Sequence, residues 1–151
     1  MKLKIKLIEK NGFEDLLFTA PASDRKWLIC FFHCLKITPQ YYIVEDVLTQ
    51  KTVGLTYCSQ LEDHLDFSLI IFPEFQRQGY GKDLIFYFLE NFENASFTVS
   101  KSNIRMLSLM NKISLRYKLI VDNLDMNRFQ FKIRKNSEMI IQGSCQQTTE
   151  K

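Results

Sequence analysis

The stretch Phe72–Leu84, FPEFQRQGYGKDL, decides the fold. It joins an apolar run, LDFSLIIF (Leu65–Phe72), to a helical pattern, KDLIFYFLENF (Lys82–Phe92). Two of the chain's five glycines, Gly79 and Gly81, stand at that junction. A strand that passes directly into a helix leaves the first N–H groups of the helix without partners. With the positive end of the helix dipole, those groups form an anion site. Glycines let the backbone turn tightly there and let a phosphate approach without meeting a Cβ. Arg77 and Lys82 add positive charge beside it. The local chemistry suits a phosphate-bearing ligand.

Two familiar phosphate loops do not fit. A mononucleotide loop ends in Gly-Lys-Ser/Thr, whereas Gly81 is followed by Lys82 and Asp83, and the loop is too short. A dinucleotide fingerprint follows the first strand and needs a third small residue where Leu84 stands. The plainer alternative is a glycine turn that only caps a helix.

Working outward, Leu65, Phe67, Leu69 and Ile71 alternate with Asp66, Ser68, Ile70 and Phe72, as in a strand with two different faces. Leu84, Ile85, Phe88, Leu89 and Phe92 form the apolar stripe of a helix. Upstream, KLKIKLI (Lys2–Ile8) reads as a half-buried strand. ASDRKWLICFFHCLK (Ala22–Lys36) reads as a helix capped by Ser23 or Asp24 that stops before Pro39. YYIVEDV (Tyr41–Val47) and TVGLTYCSQ (Thr52–Gln60) are strands joined by a turn at Thr49–Lys51. Downstream come a short strand, SFTVS (Ser96–Ser100), and a capped helix, SNIRMLSLMNKIS (Ser102–Ser114). YKLIVDNLDMNRFQFKIRK (Tyr117–Lys135) reads as a hairpin turning around Asn123–Asn127. The expectation is a single α/β (α+β) domain over residues 1–142, a mixed sheet of about six to seven strands flanked by helices, with a polar tail at 143–151.

The 151 residues are 46% hydrophobic and 25% charged, with thirteen phenylalanines, which describes a globular domain with a large core. A net charge of +3 is too small to imply nucleic acid. No apolar run approaches the ~20 residues of a membrane span, and the N-terminal lysines interrupt any secretion signal. A cytoplasmic protein with reduced thiols is expected, its cysteines being Cys30, Cys34, Cys58 and Cys145. Cys30 and Cys34 of CFFHC share a helix face, but His33 points elsewhere and no further ligand is near, so no metal is expected.

Gln76-Arg77-Gln78-Gly79-Tyr80-Gly81, after Ile71-Phe72-Pro73, resembles the phosphate loop of the GCN5-related N-acetyltransferase superfamily. The family's next signature is an asparagine opening the following helix, and Asn103 supplies it. The resemblance implies acetyl-CoA as co-substrate and an amine as acceptor. It implies that backbone N–H groups of Arg77, Gln78, Gly79, Tyr80, Gly81 and Lys82 hold the pyrophosphate. The backbone of Ile71 and Phe72 would pair with the pantetheine amides in a slot left where this strand splays from SFTVS, and Asn103 would bond the same arm. A plain helix cap is the alternative for Asn103.

The sequence also departs from the family. Where members carry a tyrosine that protonates the departing thiolate, this chain has Met110, which cannot donate a proton. Tyr117 lies about 10 Å farther along if the helix continues. Candidate general bases are Asp66 and Glu45, with Asp46, Ser68 and His64 behind them. Two functions follow: transfer of an acetyl group to a primary amine by direct attack in a ternary complex, or an acyl-CoA-binding module with little or no transfer. Either a monomer or a homodimer fits, since the edge of the C-terminal hairpin, followed by EMIIQ (Glu138–Gln142), offers a surface to a second copy.

Overall fold

The computed structural model describes residues 3–20 and 39–135. The helix read at Ala22–Lys36, the CFFHC segment and the tail at 143–151 lie outside the described residues. Seven strands form one sheet: β1 (Leu3–Ile8), β2 (Gln40–Asp46), β3 (Thr52–Gln60), β4 (Leu65–Ile71), β5 (Asn94–Ser100), β6 (Lys118–Asn123) and β7 (Arg128–Arg134). Their order across the sheet is β1-β2-β3-β4-β5-β7-β6. The helices are α1 (Lys10–Leu17), α2 (Tyr80–Asn91) and α3 (Ile104–Ile113).

Strands β1 to β4 pair in sequence order as an antiparallel meander. Strands β5, β7 and β6 form a second antiparallel group. The two groups meet only at β4 and β5, which run parallel and are connected through α2. That contact is short. Leu65 pairs with Ala95 and Asp66 with Ser96, and the strands then diverge. The slot that the family resemblance implies lies here.

The alternation read along β4 divides the core as expected. On one face Leu65 and Phe67 join Leu84, Ile85, Phe88 and Leu89 of α2 and Met110 and Ile113 of α3. On the other, Ile70 and Phe72 join Leu55 and Tyr57 of β3 and Phe13 and Leu17 of α1. Fully burying one such aliphatic or aromatic side chain is worth about 1.5–3 kcal/mol, so the two clusters clamp the helices to opposite faces. Phe67 stacks on Phe88 at 4.3 Å and meets Phe97 at 5.1 Å between ring centroids, which closes the point where β4 and β5 part.

Helix α1 is a difference from the sequence reading. It has eight residues, a glycine in its first turn and no side-chain cap, so propensity alone would not form it. Burial of Phe13 and Leu17 holds it on the sheet. Strand β5 starts at Asn94, ahead of the SFTVS segment.

Candidate active site

Hydrogen-bond parity fixes what the diverging strands present to each other. The Phe72 N–H donates to the Val53 carbonyl at 3.0 Å, so the even-numbered residues of β4 direct their main chain toward β3. Leu69 and Ile71 therefore direct theirs toward β5. The Lys101 N–H donates to Asn127 and the Lys135 N–H to Glu93, at 2.8 and 3.1 Å, so the odd-numbered residues of β5 face β7. Thr98 faces β4. Main-chain groups of Leu69, Ile71 and Thr98 thus line a slot in which no strand-to-strand ladder runs. The slot opens into a cleft of about 580 Å³.

The loop at the cleft's mouth is held by its own glutamines. Gln76 Nε2 donates to the Ile71 carbonyl and Gln78 Nε2 to the Glu74 carbonyl, each at 3.0 Å. Arg77 and Gly79 both adopt left-handed backbone, at φ 64° and 94°. Alternating such residues with ordinary ones curls successive N–H groups toward one side, the geometry of an anion nest. The first bond within α2 runs from the Asp83 N–H to the Gly79 carbonyl at 3.0 Å, and no side chain caps the helix. The N–H groups of Tyr80, Gly81 and Lys82 are therefore its open donors. A Cβ at Gly79 would meet nothing within 4 Å, so the space beside it is open and its conformation alone calls for glycine. At Gly81 a Cβ would touch Ile71 Cγ1 at 3.7 Å, an ordinary contact.

Arg77, Lys82 and Arg105 line the cleft, and none of its lining residues is acidic. Arg105 carries no signal in the sequence, because only the placement of α3 beside the slot brings it there. Asn103 fulfils the cap reading: its Oδ1 accepts from the Met106 N–H at 3.1 Å. It also lines the cleft, and its Nδ2 donors bond nothing among the described residues. The two roles coexist on different atoms. Phe72 differs from expectation. Its N–H is taken by Val53 and its carbonyl accepts from the Phe75 N–H at 2.9 Å, so Leu69 and Ile71, not Phe72, present the slot's main chain.

Tyr80 lines the cleft, but its hydroxyl donates to Asp46 Oδ2 at 2.6 Å. The Leu48 N–H donates to the other oxygen at 2.8 Å. This pair ties the first residue of α2 to the end of β2, a contact that sequence spacing does not reveal. The Tyr80 hydroxyl, then the Leu48 amide, hold the Asp46 carboxyl below its usual range. A depressed carboxyl contributes stability above its unfolded value of 3.8 and loses it on acidification through the folded value. Tyr80→Phe should therefore lower the melting temperature at neutral pH, with the gap to the parent closing below about pH 4. A gap that does not depend on pH across that range would refute the coupling.

The candidate bases part company. Asp66 is buried at the vertex where β4 and β5 last pair, next to Phe67 and Ser68 of the cleft lining but not itself part of it, and Ser96 Oγ donates to its Oδ1 at 2.6 Å. Burial pushes its carboxyl above the usual range, against the opposing effects of Ser96 and His64. Ser68, Ser96 and Thr98 alternate with core residues and share the Asp66 face; the Thr98 hydroxyl is buried without a partner among the described residues. Glu45 is held by Lys6 at 2.7 Å on β2, two strands from the slot, and does not line the cleft. His64 bonds Asp63 through Nδ1. Met110 is 1% exposed and sits in the core, with Met106 and Leu109 lining the cleft instead. Helix α3 ends at Ile113, and Tyr117 packs against the core outside the cleft lining. Burial drives the Cys58 thiol up to about 12, which makes it an inert core residue. Among the described residues no cluster of three metal-ligating side chains occurs, and no helix is long and apolar enough to cross a membrane.

A mixed seven-stranded sheet, split between parallel β4 and β5 with an open helix N-terminus at the mouth, is the fold of the GCN5-related N-acetyltransferases. Solved structures bear this out. The chain is similar to the spermidine/spermine N-acetyltransferase SpeG of Vibrio cholerae, with 16% identity and a TM-score of 0.59 over 94% of this chain and 99% of that one. It is similar to an acetyltransferase of Bacillus subtilis in complex with CoA, with 17% identity and a TM-score of 0.61 over 89% and 100%. The N-acetyltransferase PseH of Campylobacter jejuni gives 15% identity and a TM-score of 0.57 over 89% and 99%. No protein-family model matches the chain, and no curated protein does.

Proposed function

We propose that the protein transfers an acetyl group from acetyl-CoA to a primary amine, by direct attack in a ternary complex. One observation carries this reading: unladdered main chain faces the β4–β5 slot, and at its mouth an uncapped helix N-terminus stands among three cations. Acetyl-CoA would supply the acyl group as an activated thioester. The N–H groups from Arg77 to Lys82, with the Arg77 and Lys82 side chains, hold the pyrophosphate. The Ile71 N–H and the Leu69 main chain pair with the pantetheine amides as an added strand would. Asn103 donates through Nδ2 while its Oδ1 keeps the helix cap.

Asp66 is the base of this scheme. An amine with a pKa of about 10.4 must lose a proton before it attacks. Asp66 lies behind the cleft lining, so it accepts that proton through water, and water reprotonates the thiolate. The acceptor, a small molecule or a protein amine, approaches from the face that carries Ser68, Ser96 and Thr98. Positioning supplies much of the acceleration. The SpeG enzyme is named for polyamine acetylation and the Bacillus enzyme holds CoA, which supports the coenzyme and the amine in this scheme.

Two measurements test the reading. Ligand that binds only the native state stabilises it by about 2.7 kcal/mol at a hundredfold excess over Kd, so coenzyme A should raise the melting temperature clearly. No response to millimolar coenzyme A or acetyl-CoA would sink the coenzyme site. A thiol-release assay against a panel of amines and peptides should then find turnover. Binding without release for any acceptor would instead assign a binding module.

A further inference from the structure

We propose that the stacked rings of Phe67 and Phe88 set the length of the acyl group that the site accepts, as a partition between the cleft and a second, apolar cavity. This rests on the coenzyme reading and adds the class of acyl donor: short acyl groups enter, and longer straight chains are stopped. In that reading the pantetheine arm runs past Ile71 and Leu69 toward the vertex at Asp66 and Ser96, so the acyl group arrives beside Phe67 and Phe97. Both rings line the cleft there, and they pack against each other. On the far side of Phe67 lies a cavity of about 380 Å³, between α2 and strands β1 to β4. No described residue lines both spaces. Leu65 and Phe67 stand two residues apart on one face of β4, yet Leu65 lines the second cavity and Phe67 the cleft. Phe88 lines the second cavity and stacks on Phe67 at 4.3 Å between centroids, so the wall at this point is two rings thick.

The second cavity suits an uncharged chain. None of its described lining residues is charged. Its polar groups are engaged with one another or with main chain. The Tyr42 hydroxyl donates to Gln40 Oε1 at 2.7 Å, and Gln60 Nε2 donates to the Leu61 and His64 carbonyls at 2.9 and 3.3 Å. The Cys58 thiol, pushed up to about 12 by burial, stays neutral. Ile5, Leu65, Phe88 and Phe92 supply apolar wall. The space lies within the size range of small-molecule pockets, and each methylene placed there leaves water. Chain length does not alter the transfer itself. The bond from acyl carbon to sulfur breaks, its bond to nitrogen forms, the amine proton passes through water to Asp66, and the thiolate takes a proton from water. Length decides only whether the acyl tail has room, and the two rings deny it that room.

Calorimetry on the full chain with coenzyme A, acetyl-CoA and octanoyl-CoA tests this without turnover. The parent should bind octanoyl-CoA at least about tenfold more weakly than acetyl-CoA. Phe88→Ala joins the two spaces. It should bind octanoyl-CoA at least about tenfold more tightly than the parent does and hold acetyl-CoA as the parent does. Phe88→Leu keeps an apolar core residue and should shift the ratio of the two affinities the same way by less. Phe92→Leu widens the second cavity and leaves the partition closed, so it should keep the parent's ratio. A parent that binds octanoyl-CoA as well as acetyl-CoA overturns the proposal. So does a folded Phe88→Ala or Phe88→Leu with the parent's ratio, and so does a Phe92→Leu shift as large as that of Phe88→Ala, which would assign the effect to a loosened core. A parent that does not bind coenzyme A, which carries no acyl group, sinks the coenzyme reading itself and the proposal with it.

Discussion

Asp66→Asn is expected to reduce the rate of acetyl transfer by about 10²–10⁴-fold, the usual range for loss of a general base, and to leave the fold as stable as the parent or more so at neutral pH. The two halves of this expectation have the same origin. Burial raises the Asp66 carboxyl, so the folded state bears the cost of ionising it once the pH exceeds 3.8, the ordinary value, and the cost grows until the raised folded value is passed. Asparagine carries no such charge and can still accept from Ser96 Oγ. Its stability advantage should appear above about pH 4 and vanish below it. The parent's transfer rate should rise as pH passes through the raised value, and the variant's residual rate should not follow that rise. Thermal unfolding across pH, with initial rates on both proteins, reads all of this. A variant that keeps the parental rate removes Asp66 from the chemistry.

Gly79→Val should weaken acetyl-CoA binding at least tenfold, or about 1.4 kcal/mol. The Gly79 backbone sits at φ 94° beside open space, and a branched side chain would enter that space where the pyrophosphate is to lie. The same change costs stability, because a side chain in left-handed backbone is disfavoured by about 1–2 kcal/mol, and more when β-branched. Calorimetry on folded protein separates affinity from stability measured by unfolding without ligand. Gly79→Asn is the companion, since asparagine tolerates this conformation better yet still projects into the space. If folded Gly79→Val binds acetyl-CoA as the parent does, the loop is a turn and not a phosphate site.

The strand, loop and helix at the cleft's mouth were legible in the sequence because their determinants are local, whereas the slot between β4 and β5 was expected only from the family resemblance. The alternation along Leu65–Phe72, the glycine pair and the stripe of α2 lie within one unbroken stretch, and strand-to-helix geometry does the rest. Asn103 was legible for the same reason, as a cap at a helix start. What stayed hidden depends on distant pairing. Tyr80 meets Asp46 across 34 positions, and Ser96 meets Asp66 across 30. Arg105 and Thr98 enter the cleft only once β5 and α3 are placed beside β4. Glu45 looked equivalent to Asp66 by residue type, and only the strand order sets it two strands away. Phe72 was grouped with Ile71, and the parity of β4 turns its main chain away from the slot. Helix α1 was missed because its reason to form is the pocket for Phe13 and Leu17 and not its own composition.

The two-pair joint between β4 and β5 has a mechanical meaning. The sheet divides into four strands and three strands that are paired to each other only at Leu65 and Asp66 of β4 and Ala95 and Ser96 of β5. From that joint to Ile71 the free arm of β4 is about 16 Å long at the usual rise per residue. A rotation of about 4° between the two groups of strands would move the arm's tip by about 1 Å, a displacement on the scale that separates aligned from misaligned reactants. A change in the angle between the two groups of strands would therefore change the cleft's width most at the far end of that arm. Side chains packed where the strands part, Phe67 and Phe97 among them, would set that angle from a place where no bond is made or broken.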